Sequence, residues 1–280
     1  MRLKLTYRPE HHNMIIPFNT NDFVTGYIYR SIKSASSVHA KWLHDVGFTL
    51  DYRKFKFFTF SRLIIPNRRL VHSGLKVLSP NIYLYISMLM PRTLENFVTG
   101  MFADQTLYLG TKDENLLLVS TEVLPDPEFK QRMKFRTLSP IRCSIKSPDG
   151  RRTPKYLLPG DNELPSRLRE NILNKYRTHY RKKPENDSFN FEFDEKYVND
   201  RGGFKRMTSL ITLKQGKPEQ TKNRVFDAHF YLSGNSELIR LAHETGLGDG
   251  NSEGFGMIEE ISSAKHRFAT IRFAAIRGKR

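Results

Sequence analysis

The sequence predicts an α+β protein in two similar halves, and three observations predict it. Strand-like and helix-like segments follow the order β-α-β-β-α-β, that order occurs twice, and a Pro125-Asp126-Pro127 joint stands between the two occurrences. The 280 residues suit two domains, since domains cluster at roughly 100–200 residues. A hydrophobic content of 38%, with 20 Phe and 12 Tyr, supplies apolar material for a core in each half.

Residues 2–7 alternate charged or polar with apolar side chains, the period of a strand with one buried face. Asn21 or Asp22 can cap a helix whose apolar positions Phe23, Tyr27, Ile28 and Ile32 recur at helical spacing, and Tyr29 lies on it. The Ser34-Ala35-Ser36-Ser37 stretch offers a second cap, for a short helix through Val38, Trp42 and Leu43 that ends at Gly47, with His44 in its last turn. Strands follow at 55–62, 70–78 and 82–88, a helix at about 91–103, and strands near 105–109 and 115–123. Each proline of the joint disfavours helix before it and interrupts ladder pairing, which sets the boundary at 126.

In the second half, 133–146 reads as extended, 165–183 as helix, and 188–197 as a strand alternating through Phe189, Phe191 and Phe193. Extended segments at 204–214 and 225–232, a helix at 236–245 and a strand at 254–261 complete it. A duplicated unit of this order fits two tandem ferredoxin-like (RRM-like) domains, 1–125 and 126–261, each an antiparallel sheet with helices on one face. Residues 262–280 form a basic tail beyond the last strand, with no role legible.

The formal charge is +17, from 46 Lys+Arg against 29 Asp+Glu. Such an excess attracts polyanions, so nucleic acid is the first partner to consider. The single cysteine, Cys143, excludes an internal disulfide and a cysteine zinc site, as expected of a reducing cytoplasm. The charged, alternating N-terminus reads as a strand, not a signal peptide, and no apolar run approaches the ~20 residues of a membrane span. No Asp/Glu/His cluster has metal-ligand spacing, and His243-Glu244 lacks the second histidine of a zincin helix. Neither a metal nor a cofactor is expected.

Between the last helix and strand, residues 246–256 carry Gly246, Gly248, Gly250, Gly254 and Gly256. Glycine permits positive φ and removes Cβ, so such a backbone can approach a phosphate closely, or simply turn tightly. The Walker and Rossmann patterns do not fit, because the helix precedes the loop and no Gly-Lys-Ser/Thr follows. The pattern Gly-hydrophobic-Gly, five residues, Gly-hydrophobic-Gly resembles the signature loop of the RAMP (repeat-associated mysterious protein) superfamily. Within it the chain is similar to the CRISPR repeat-processing endoribonucleases. The flanks share the likeness: Tyr231-Leu232-Ser233-Gly234-Asn235, His243-Glu244-Thr245-Gly246, Phe255-Gly256-Met257, Thr137-Leu138-Ser139-Pro140-Ile141 and Gly26-Tyr27-Ile28-Tyr29. Family loops usually hold a lysine or arginine among the five middle residues. This loop has Asp249 and Glu253 and no base, so a structural turn and an RNA contact both fit it.

The resemblance implies cleavage of precursor CRISPR RNA within its repeats, without metal, by attack of a ribose 2′-hydroxyl on the adjacent phosphate. That chemistry needs a proton acceptor, a proton donor for the leaving 5′-oxygen, and a cation or donor for the phosphorane. By resemblance Tyr29, His44 and Lys56 occupy the catalytic positions, with His44 as general acid/base, Tyr29 orienting phosphate or proton, and Lys56 stabilising charge. Lys54, two residues from Lys56 and on the same face of a strand, is an alternative to it, and His39 competes with His44.

RNA contacts are expected from the basic stretch between Lys130 and Lys155, through Arg132, Lys134, Arg136, Arg142 and Lys146, which continues into Arg151 and Arg152. Gly246, Gly248, Gly254 and Gly256 would approach RNA through the backbone. The helix at 167–183 adds seven bases around Tyr176 and Tyr180, among them Lys175. CRISPR repeat RNA is the expected partner, with CRISPR effector complex subunits beyond it, on a monomer or homodimer. The rival reading is a non-catalytic RAMP protein that holds CRISPR RNA in an effector complex.

Overall fold

Alternation in the first strand sets the frame of the first sheet. The computed structural model describes residues 1–51, 53–110, 114–147 and 153–261. The tail 262–280 and Arg151 and Arg152 of the basic stretch lie outside the described residues. In chain order the first half comprises β1 (Arg2–Pro9), β2 (Ile15–Ile16), α1 (Asn21–Ala35), α2 (Ser37–Asp45), β3 (Phe48–Leu50), β4 (Arg53–Phe55) and β5 (Phe58–Phe60). It continues with β6 (Arg68–Val71), β7 (Gly74–Val77), β8 (Ile82–Met88), α3 (Pro91–Ala103), β9 (Thr106–Tyr108) and β10 (Asn115–Leu124). Leu3, Leu5 and Tyr7 of β1 point to a core shared with Tyr27, Ile28 and Ile32 of α1 and Phe97 of α3.

The second half comprises β11 (Arg132–Thr137), β12 (Ser144–Ile145), β13 (Lys155–Tyr156), α4 (Leu164–Tyr180), β14 (Phe189–Phe193) and α5 (Glu195–Arg201). Then follow β15 (Thr208–Leu213), β16 (Thr221–Phe226), β17 (His229–Gly234), α6 (Ser236–Thr245) and β18 (Ile258–Glu260). Met133 and Phe135 of β11 and Phe230 and Leu232 of β17 pack on Leu168, Ile172 and Leu173 of α4 and Leu238 of α6, making a second core.

The main sheets run β5-β8-β1-β10-β9 and β14-β17-β11-β18. Numbering the four strands of each β-α-β-β-α-β unit in chain order, both have the order 2-3-1-4, all pairs antiparallel. The protein is therefore two tandem ferredoxin-like folds, as the repeated element order predicts.

Several elements differ from the sequence reading for local reasons. The strand expected over 55–62 is broken at Phe57, whose φ is +54°, so β4 belongs to a small hairpin with β3 and only β5 joins the main sheet. The stretch 70–78 is a turn with strands on either side, and 225–232 likewise holds the end of β16 and most of β17. After β14 the chain turns into α5, opened by Asp194 and closed by Gly202 in the left-handed region, where the sequence reads a continuing strand.

The two halves meet over a polar and apolar seam. Arg62 forms a two-pronged pair with Asp227 at 2.8 and 3.0 Å, and Tyr85 packs with Leu138 and Met257. This seam also buries Arg2 at the start of β1, whose guanidinium donates to the His243 carbonyl at 2.7 Å. No helix among the described residues is long and apolar enough to cross a membrane.

Candidate active site

The second helix owes its position to Ser36, whose hydroxyl accepts the His39 amide at its start, and to Gly47, which turns the chain sharply after its end. His44 therefore stands at the exposed C-terminal end of α2. Its side chain is 70% exposed, and its Nδ1 lies 2.7 Å from Asp45 Oδ1. The carboxylate favours the tautomer with a proton on Nδ1, which leaves Nε2 for proton exchange with a ligand. The hydrogen bond to His44 in turn holds Asp45 below the usual carboxylate range.

Tyr29 reaches the same place from α1. Its ring meets His44 edge-on, with centroids 5.4 Å apart, and leans on Phe58 of β5. Burial, reinforced by the nearby charge of Glu253, pushes its phenol well above the ordinary value, so Tyr29 is a hydrogen-bond donor at neutral pH.

Lys56 completes the cluster. Its ammonium donates to the Leu43 and His44 carbonyls, the unpaired acceptors at the end of α2. Burial and the neighbouring Lys54 lower its pKa to about 8, against the opposing pull of Asp45. Lys54 donates to the Asp45 carbonyl at 2.8 Å, so both lysines gather at one helix end. His39 is elsewhere: it is buried, its Nε2 sits 3.0 Å from Thr93 Oγ1, and burial lowers its pKa. Helix α2 thus sends one histidine to the interior and one to solvent.

The glycine-rich loop approaches from the second half. Asn21 donates to the Glu253 carbonyl at 2.7 Å, Thr25 to that of Ser252 at 3.3 Å, and Thr59 to that of Phe255 at 3.2 Å. Its glycines answer to packing: a Cβ on Gly248 would overlap the Arg142 carbonyl, and one on Gly256 the Leu247 carbonyl. The amides of Gly246, Gly254 and Gly256 donate to the carbonyls of Ala242, Asn251 and Pro140. The two acids are also engaged. Asp249 accepts from the Ser144 amide and hydroxyl at 2.8 and 2.9 Å, and Glu253 pairs with Arg142 at 2.9 Å.

The base that the loop lacks is supplied by α4. Lys175, 2% exposed, donates to the Gly246 carbonyl at 2.6 Å and to Asn251 Oδ1 at 2.7 Å. The sequence contains a signal for this residue that a list of basic positions conceals: Lys175 falls on the apolar stripe Leu168, Ile172, Tyr176, where a solvated lysine does not belong.

The remaining basic positions separate. Lys146 lines a cleft of about 550 Å³ between the halves, together with Lys54, Lys56, Lys175 and the backbone of 248–252. Arg132, Lys134 and Arg136 alternate with the buried side chains of β11, so they lie on the sheet face away from α4 and α6. There they pair with Glu192, Asp194 and Glu259, and Arg132 and Lys134 cover the Tyr231 ring. Among the described residues no group of three or more His, Cys, Asp or Glu side chains is placed to hold a metal.

Two 2-3-1-4 sheets with a glycine-rich loop before the last strand define a RAMP-type protein. Residues 15–119 match the family model described as CRISPR-associated protein Cas6, N-terminal, and residues 124–260 match CRISPR associated protein Cas6, C-terminal. The chain is 30% identical over 273 residues to the CRISPR-associated endoribonuclease Cas6 1 of Methanocaldococcus jannaschii, covering 95% of each protein. It is 28% identical to the CRISPR-associated endoribonuclease Cas6 of Pyrococcus furiosus, over 87% of this chain and 83% of that one. The solved structure of a Cas6-related protein of Pyrococcus furiosus superposes with a TM-score of 0.80 at 26% identity, over 94% of this chain and 99% of the other. The chain belongs to the Cas6 family of CRISPR-associated proteins.

Proposed function

We propose that this chain is an endoribonuclease that cuts precursor CRISPR RNA within its repeats, leaving 2′,3′-cyclic phosphate and 5′-hydroxyl ends. The observation that carries this reading is the meeting of an exposed imidazole, a phenol and an ammonium at one helix end. The names of the Methanocaldococcus and Pyrococcus relatives point the same way.

In this reaction the 2′-oxygen attacks phosphorus, the bond from phosphorus to the 5′-oxygen breaks, one proton leaves the 2′-hydroxyl and one reaches the departing oxygen. His44 exchanges a proton through Nε2, while Asp45 orients the ring from Nδ1. Tyr29 donates a hydrogen bond to the phosphate and holds the imidazole edge-on. Lys56 meets the charge that builds on the phosphorane, with the third ammonium donor left by its two helix carbonyls. Lys54 serves the same helix end.

The test is cleavage of labelled repeat RNA in excess EDTA. His44→Ala lowers the rate by roughly 10²–10⁴, His39→Ala cuts at nearly the wild-type rate, and a 2′-deoxy nucleotide on the 5′ side of the cut stops the reaction. Cleavage that EDTA abolishes refutes the mechanism. Tight binding without any cut instead supports the second reading, a RAMP protein that holds CRISPR RNA, which the engagement of Lys56 with α2 favours.

A further inference from the structure

A buried lysine needs a compensating anion, because desolvating an ammonium without one is costly. Among the described residues Lys175 has no ion-pair partner. Its two acceptors are a carbonyl and an amide oxygen. The charge of Asp249 acts on it, but that carboxylate is occupied by Ser144. An ammonium carries three donors, and the loop takes two.

Lys175 also lines the cleft between the halves, where Lys54, Lys56, Lys146 and Arg167 stand around it and Asp249 is the single acid among the described lining residues. The basic wall and the ammonium with a third donor to spare share one ligand chemistry, a phosphate oxygen. We propose that Lys175 is a binding residue for a backbone phosphate of the substrate RNA adjacent to the scissile one, seated against the backbone of 248–252. This inference rests on the reading of the site as an RNA-cleaving one. It reassigns the basic residue of the glycine-rich loop from the loop to α4. Burial lowers the pKa of Lys175 to about 7, and a bound phosphate returns the full charge to it.

The test uses the full chain and a repeat RNA made uncleavable by one 2′-deoxy nucleotide at the cut, carrying a single uncharged methylphosphonate moved position by position. Wild type loses roughly tenfold or more in affinity at the contacted phosphate. Lys175→Met binds the unmodified RNA correspondingly more weakly and is insensitive to methylphosphonate at that one position, while other positions still respond. Lys175→Gln, which keeps a donor for the loop without the charge, behaves likewise and serves if the methionine variant melts early. The slope of log affinity against log salt falls by about 0.7 in both variants, as for one lost single-strand phosphate contact.

A merely structural Lys175 gives variants that respond to every methylphosphonate as wild type does, and that result overturns the proposal while leaving cleavage of normal RNA by wild type intact. Failure of wild type to bind or cut repeat RNA at all overturns the reading of the site, and this inference with it.

Discussion

The end of α2 and the glycine-rich loop are built on opposite terms. His44 is mostly in solvent, joined to its surroundings by one carboxylate and one ring contact. The loop is packed so closely that a methyl group on Gly248 or Gly256 would run into backbone, and the amides of Gly246, Leu247, Asp249, Glu253, Gly254 and Gly256, both acids and Asn251 are paired. The first region can exchange protons because little holds it. The second can position a ligand because almost everything does. Substitutions in the two regions should therefore separate rate from stability.

The largest expected effect is on rate alone. His44→Ala loses roughly 10²–10⁴ in cleavage with a change in stability within about 0.5 kcal/mol, as for other exposed side chains. A melting curve displaced as far as the activity breaks the comparison. Gly256→Ala is the counterpart. With φ at +74° and the Leu247 carbonyl in the way, it costs about 2 kcal/mol or more, seen as a Tm several degrees lower, with RNA affinity falling alongside.

Next comes a pH effect at the helix end. Lys56 carries its charge below about pH 8, so its contribution fades as pH rises through that value, at most tenfold per pH unit. Lys56→Arg, charged throughout, flattens that limb of the rate profile if it retains activity. An unchanged limb assigns the role to Lys54 or another group.

Lys175 gives a stability effect of defined sign. Its folded pKa of about 7 lies below the unfolded value of 10.5, so between these values the unfolded chain binds more protons. Stability from this group therefore rises with pH across that window, and its burial penalty is full below about pH 7. Lys175→Met removes that dependence, so the difference in Tm between variant and wild type favours the variant most at low pH. The smallest effect is at the exposed pair of Arg53 with Glu170, 2.8 Å apart. Glu170→Gln removes this pair together with that of Arg167 and Glu170 at 2.6 Å and costs about 1 kcal/mol or less.

The fold was legible because β1, β11, β14 and β17 alternate and α1, α3, α4 and α6 carry apolar stripes, signals that survive in a single sequence. What escaped was local backbone geometry: the positive φ of Phe57 that detaches β4 from β5, and the turn at Asp194 that opens α5, leave little trace in hydrophobic pattern. In the site, the rings of Tyr29 and His44 meet and Lys56 reaches the same helix end. Composition could not separate His39 from His44, since only packing reveals which faces Thr93. The basic stretch gave no warning that Arg132, Lys134 and Arg136 have carboxylate partners, because those partners lie on distant strands or just beyond them, joined by the sheet.

The contacts that Asn21, Thr25 and Thr59 make with the loop carry a consequence for how the chain can vary. A half exchanged for that of a distant relative would arrive with a mismatched seam, so inheritance should favour the two halves travelling together. A chain severed between Leu124 and Arg132 would consequently rebuild these loop contacts only when both pieces are present.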